Sequence, residues 1–513
     1  MKKLLCLIII LSSFTAKASE VIELKLPKSD KVVVKLMFKN GSMSDPKNKA
    51  GLTSLTANVI AEGGTKELSS TAIKDLIYPW ASGYNVSVDK EVSIFTFSVH
   101  RDHLDKFYPV LKGLILTPRF EEEDFKRVKS NQQNYIDEVI RTSSDEEYSK
   151  KLLEDFLFRG SSYQHPVAGT SEGIKSSTLE DVKNHYLNYF TKTNLTIGIA
   201  GNYTPEFLNK LKSDMAMLPE MKSPLPEMAI ARIPNGIEVE IVSKDNALGS
   251  AIFAGFPMTI TRANDDFAAL MIANSWLGEH RKSYSRLYQK IREQRSMNYG
   301  DYSYIEWYNN GGSNMLPRPG FPRRSNYFSI WIRPVQTAKG LKGQYPELST
   351  IETGHAHFAL RMAIKEMDEL ISKGMSKEDF ELTREFLRSY MKLYAQTSEQ
   401  QLGYLMDSRF YNRNNWLETA DQLLAGCTQE KVNAAIKKYW QTKNMFITIV
   451  TDKSEAVPLA RSLREGTESP MSYSDALKGV LSAEILKEDD VVKSYPMKVS
   501  TVTILESNDT FRK

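Results

Sequence analysis

Thr178–Ala200 reads TLEDVKNHYLNYFTKTNLTIGIA, and Thr428–Val450 reads TQEKVNAAIKKYWQTKNMFITIV. At a constant offset of 250 residues the two align without a gap. Thr178/Thr428, Glu180/Glu430, Val182/Val432, Tyr189/Tyr439, Asn194/Asn444, Ile197/Ile447 and Ile199/Ile449 coincide. Each copy opens on a Thr suited to cap a helix. Apolar residues then follow at helical spacing, and a β-branched run predicts a closing strand. The match extends upstream, where Glu123-Asp124-Phe125 and Glu378-Asp379-Phe380 each open a long charged helix. A repeat of this length means one supersecondary plan used twice.

Working outward, each half predicts strands, helices, more strands, long helices, then the repeated helix and strand. The first half opens with strand Lys31–Lys39, a helix from about Ala50 and strand Val92–His100. The second opens with strands Gly236–Val242 and Ser250–Phe256 and a helix over Asp265–Leu277. Strands mixed with helix pairs favour an α+β fold, with long helices on a mixed, mostly antiparallel sheet in each half. Residues 19–216 form the first half and 229–452 the second. Residues 217–228, with three prolines, read as a linker. The loop Asn309–Arg324 (NNGGSNMLPRPGFPRR) interrupts the second half. Residues 453–513 lie outside the repeat and are expected to pack over the second half.

With 41% hydrophobic and 25% charged residues in 513, disorder and small disulfide scaffolds are excluded. A net charge of +4 is too near balance to imply nucleic acid as a partner. Residues 1–18 read as a secretory signal: Lys2 and Lys3, an apolar run, then Ala16-Lys17-Ala18 before the cut. Cys6 leaves with it, so Cys427 has no partner for an intrachain disulfide. No later stretch suits a membrane span. The expected location is periplasmic or secreted.

The histidines make no metal site. His100-x-x-His103 sits at a strand end, with Asp102 as the expected cap of the next helix. His355 and His357 are two apart and face differently on a helix. His165 precedes Pro166 in a loop, and His185 and His280 stand alone. A catalytic zinc needs three protein ligands. No nucleophile elbow, phosphate loop or dinucleotide fingerprint is present.

Gly51-Leu52-Thr53-Ser54-Leu55-Thr56-Ala57-Asn58-Val59-Ile60-Ala61-Glu62-Gly63-Gly64-Thr65 resembles the active-site helix of the pitrilysin/insulinase metallopeptidases. In active members that helix carries H-x-x-E-H, two zinc ligands and a base that activates water. Ser54, Ala57 and Asn58 stand at those positions, so the resemblance implies no metal held by this chain. The third ligand of the family would fall near Asp137 or Glu138. His165-Pro166-x-x-Gly169-Thr170 and Ile174 fit the same family pattern.

Ser285-Arg286-Leu287-Tyr288-Gln289-Lys290-Ile291-Arg292-Glu293-Gln294-Arg295-Ser296-Met297-Asn298-Tyr299 resembles the family's substrate-binding segment. There an Arg and a Tyr seven residues apart reach across a closed clamshell to the zinc of the other half. Arg292 and Tyr299 hold that spacing. A guanidinium and a phenol are donors suited to developing negative charge. A structural alternative pairs Arg292 with Glu293 or Glu306 and packs Tyr299 in a strand. Two-subunit members of the family divide the labour between a zinc chain and a partner that keeps the Arg/Tyr pair. The resemblance therefore implies half of a clamshell that acts on peptides with a zinc-bearing homologous subunit, the zinc held by that partner. The alternative is a non-catalytic structural or peptide-binding relative.

Overall fold

The computed structural model describes residues 19–220, 225–307, 319–391 and 393–513. The signal read at residues 1–18 lies outside the described residues. So do parts of the linker and of the Asn309–Arg324 loop.

The first half builds a sheet from β1 (Glu20–Lys25), β2 (Lys31–Phe38), β3 (Gly83–Val88), β4 (Ser93–His100) and β5 (Leu195–Gly201), in the order β1-β5-β2-β4-β3. The second uses β6 (Ile237–Lys244), β7 (Ser250–Met258), β8 (Asp301–Tyr304), β9 (Asn326–Val335), β10 (Met445–Asp452) and β11 (Val499–Glu506), in the order β11-β6-β10-β7-β9-β8. Without β11, the second order repeats the first. β1 runs parallel to β5, as β6 does to β10. Within this shared pattern, the remaining pairs are antiparallel in both sheets. The repeat read in the sequence is therefore a repeat of topology.

Local chemistry explains why the repeated segments fold alike. Thr178 caps the Leu179–Tyr189 helix by accepting from Asp181 N, and Thr428 caps Gln429–Tyr439 by accepting from Lys431 N. Each hydroxyl satisfies one of the four orphan donors of a helix start. The strands that follow, β5 and β10, are buried along their whole length. That suits their run of β-branched residues, since both lie inside a sheet covered on two faces.

The halves bury each other reciprocally. The Asp145–Phe158 helix of the first half lies on β7 and β10 of the second sheet. Leu153, Phe156 and Leu157 pack there with Phe253 and Phe446, the Phe156 and Phe446 rings 4.5 Å apart. The Ser398–Phe410 helix of the second half lies on β1, β5 and β2. Leu402 and Met406 meet Ile22, Val33 and Ala200. Gly198 makes that approach possible, since a Cβ there would sit 2.4 Å from Met406 Sδ. Its counterpart in the second half is Thr448, which joins Ser149 of the first half through side-chain and backbone hydrogen bonds.

The C-terminal 60 residues do more than cover the second half. β11 extends the second sheet in parallel with β6. The chain then crosses to the first half, where Phe511 joins a core cluster with Tyr148 and Leu152. Ser171 N and Glu172 N donate to Phe511 O and Arg512 O. The extension thus packs over the second half as expected and adds contacts with the first. A correction concerns Asp102. It sits in a short turn over Arg101–His103, and its amide is accepted by His100 Nδ1. No helix of the described residues is long and apolar enough to cross a membrane.

Candidate functional site

The Leu52–Glu62 helix is fixed at its start by Asp45. That carboxylate accepts from Gly51 N at 2.6 Å and from Thr53 N and Oγ1, both at 2.7 Å. Gly51 adopts φ 97°, and a Cβ would lie 2.3 Å from Ala168 O, so only glycine fits. The helix entry is thus fixed by Asp45 and Gly51, while Ser54, Ala57 and Asn58 sit along the helix itself. Ala57 is fully buried in the first-half core. Asn58 spends its amide on the helix itself, Nδ2 donating to Ser54 O at 2.9 Å.

Ser54 and Asn58 line a cleft of about 380 Å³. Its other walls include Gln132, Tyr135, Lys150 and Glu154, and Trp307 and Phe321 enter from the second half. The acids expected near the third ligand position are elsewhere. Asp137 accepts from Gln133 Nε2 and Ser171 Oγ, and with Glu138 it lines a separate depression beside Arg141 and Lys175. A π-helical turn spans Tyr135–Val139. Such a turn inserts a residue relative to an α-helix. Asn131, Gln132 and Tyr135 face the cleft instead. Among the described residues no three His, Cys, Asp or Glu side chains converge as metal ligands. A hydroxyl, a methyl and a carboxamide do not make a zinc site, and the residues present do not fit that metal.

Along the cleft wall lies a charge network that sequence reasoning missed. Arg323 donates to both oxygens of Asp89, at 2.7 and 2.6 Å, and to Glu154. Its guanidinium lies 3.7 Å from the centre of the Trp307 ring. Lys90 Nζ reaches Tyr163 O at 2.7 Å and Glu154 at 3.4 Å. Arg324 donates to Glu91. Burial opposes ionisation of Glu154, but Arg323 and Lys90 outweigh it and hold the carboxyl down to about 2. The only sequence signal was a run of charge on each side, which ordinarily means a solvated surface.

Arg292 and Tyr299 flank a turn in the second half. Arg292 lies in a π-helical stretch over Tyr288–Glu293, pairs with Glu293 at 2.6 Å and sits over the Tyr288 ring. Glu306 belongs to Arg262. Tyr299 is 78% exposed, so it does not pack a strand. The backbone around it is held: Asn298 Nδ2 donates to Asp301 Oδ1 and Arg333 O, and Arg333 N donates to Gly300 O. His355 contacts Ser472 O and His357 contacts Ser462 Oγ, both partners within the C-terminal extension.

These features define a class first: a doubled α+β peptidase scaffold whose metal-site helix carries no metal ligands. Residues 20–171 match the family model described as insulinase (peptidase family M16), and residues 176–387 match the peptidase M16 inactive domain. The chain belongs to the M16 peptidase family. It is similar to a Helicobacter pylori protein named non-peptidase homolog YmxG, 23% identical over 425 residues, covering 82% of this chain and 89% of that one. A Bacillus subtilis protein named uncharacterized zinc protease YmxG is 24% identical over 256 residues, 48% of this chain and 59% of that one. The crystal structure of a peptidase M16 inactive domain from Pseudomonas fluorescens superposes with a TM-score of 0.71 at 17% identity, covering 85% of this chain and 96% of that one.

Proposed function

We propose that this chain is the zinc-free subunit of a periplasmic two-chain M16 peptidase, lending Arg292 and Tyr299 to a zinc-bearing homologous subunit. The observation that carries the reading is the contrast between its two sites. The helix that would hold zinc offers Ser54, Ala57 and Asn58, while the Arg292–Tyr299 turn presents a guanidinium and an exposed phenol on an anchored backbone. Packing within the chain does not require a tyrosine that is 78% exposed. The relative named a non-peptidase homologue supports a chain with no activity of its own.

In this reading the Arg292 guanidinium donates to backbone carbonyls of a bound peptide. The Tyr299 O–H donates to the carbonyl oxygen as it gains negative charge during attack. Donors already in place for that charge lower the barrier without reorganising. A second reading, a non-catalytic relative that only binds peptide, draws on the cleft that persists at Ser54 and Asn58.

Co-expression with a zinc-bearing M16 chain of the same organism tests the association. A complex that survives size-exclusion chromatography, with peptide hydrolysis requiring both chains, is expected. A zinc chain equally active alone contradicts the subunit reading.

A further inference from the structure

The C-terminal extension reaches the segment that carries Arg292. The Ala483–Val492 helix presents Glu488 and Asp489 to it. Arg295, 1% exposed, donates from Nε to Asp489 Oδ1 at 2.7 Å and from Nη2 to Glu488 Oε2 at 2.9 Å. Its Nη1 donates to Lys290 O at 2.6 Å, closing the turn on itself. Lys290 Nζ donates to both oxygens of Glu488 at 2.8 Å. Asp489 also accepts from Tyr473 at 2.7 Å, and Lys365 lies 3.3 Å from Glu488.

Arg292 sits between Lys290 and Arg295, and Tyr299 follows four residues after Arg295. Ser296 adopts φ 52° and its amide donates to Arg292 O at 2.8 Å. A non-glycine residue holds that conformation only when its surroundings determine it. We propose that Glu488 and Asp489 of the C-terminal extension are positioning residues, which set the Arg292–Tyr299 turn through Lys290 and Arg295. The catalytic meaning rests on the function proposed above; the anchoring itself does not. A buried guanidinium held from two of its nitrogens by two separate carboxylates is fixed in direction as well as distance, so the anchor orients the turn and does more than tether it.

Limited trypsin digestion reads the anchor directly, because Lys290, Arg292 and Arg295 are cleavage sites. In the full chain, E488Q/D489N should raise cleavage at these sites at least tenfold while leaving cleavage elsewhere unchanged. In the reconstituted complex, kcat/KM should fall at least tenfold, and the same pair added to Tyr299→Phe should cause little further loss. The single variant Glu488→Gln gives a milder form if the double variant folds poorly. Unchanged cleavage in the turn overturns the proposal, whatever Tyr299→Phe does. A freed turn with a silent Tyr299→Phe upholds the anchoring and overturns instead the function on which its catalytic role depends.

Discussion

Arg323 of the second half lays its guanidinium across the carboxylate of Asp89 of the first, with Nε and Nη2 donating at 2.7 and 2.6 Å. Both side chains are almost wholly buried. The pair joins the two repeats at the cleft that Ser54 and Asn58 line.

Removing one member of a buried pair strands the other charge. Arg323→Gln should therefore destabilise the chain by about 3–5 kcal/mol at neutral pH. Urea denaturation of variant and parent checks this. Asp89→Asn added to Arg323→Gln should recover part of the loss, because the two effects are not additive within one network.

Acid should weaken the same network. Glu154 ionises near 2 in the folded chain and near 4.5 when unfolded. Its contribution is complete above about pH 4.5 and is lost as pH falls toward 2. Melting temperature against pH should fall across that window, and Glu154→Gln should flatten the fall while lowering stability at pH 7.

Glu279 works in the opposite sense. Burial pushes its carboxyl up to about 8, only partly opposed by Ser275 and Lys282. Between pH 4.5 and 8 the folded state keeps a proton that the unfolded state releases, so stability falls as pH rises through that range. Glu279→Gln should remove the slope and gain on the order of 3 kcal/mol at pH 8 relative to pH 5. Denaturation at the two pH values checks it; an equal effect at both would contradict it.

Metal analysis addresses the lost zinc site. The purified chain should hold no stoichiometric zinc. Restoring His, Glu and His at Ser54, Ala57 and Asn58 should still give no tight site, because the buried acids on the cleft wall, Asp89 and Glu154, are already held by Arg323 and Lys90. Ala57→Glu should also destabilise, since Ala57 has no solvent access. One tightly held zinc per parent chain would falsify this account of the helix.

The repeat was legible because it rests on local chemistry. Thr178 and Thr428 cap helices, and Ile197, Ile199, Ile447 and Ile449 fill strands, wherever the halves sit in space. Ser54, Ala57 and Asn58 could be read for the same reason, as three positions on one helix. What escaped depends on distance in the chain. Asp89 and Arg323 lie 234 residues apart, and no local pattern announces their pairing. The placement of Asp137 was not legible either, because it depends on which helix face meets the cleft: Asn131, Gln132 and Tyr135 do, while Asp137 is engaged by Gln133 and Ser171. The reach of Phe511 into the first half follows from tertiary packing alone.

Steady-state kinetics of the reconstituted complex with Tyr299→Phe, beside a thermal melt, tests the central claim most directly. The substitution removes one hydroxyl from a side chain that is 78% exposed, so no buried group loses a partner and the melting temperature should not move. Loss of one oxyanion donor should lower kcat/KM by on the order of 10²–10³. In parallel, Arg292→Ala should raise KM, and Arg292→Lys should restore it only in part, because an ammonium lacks the planar fork. A fall of that size with unchanged stability is the predicted result. Near-parental kcat/KM for Tyr299→Phe would contradict the account and leave this chain as a scaffold without a part in the chemistry.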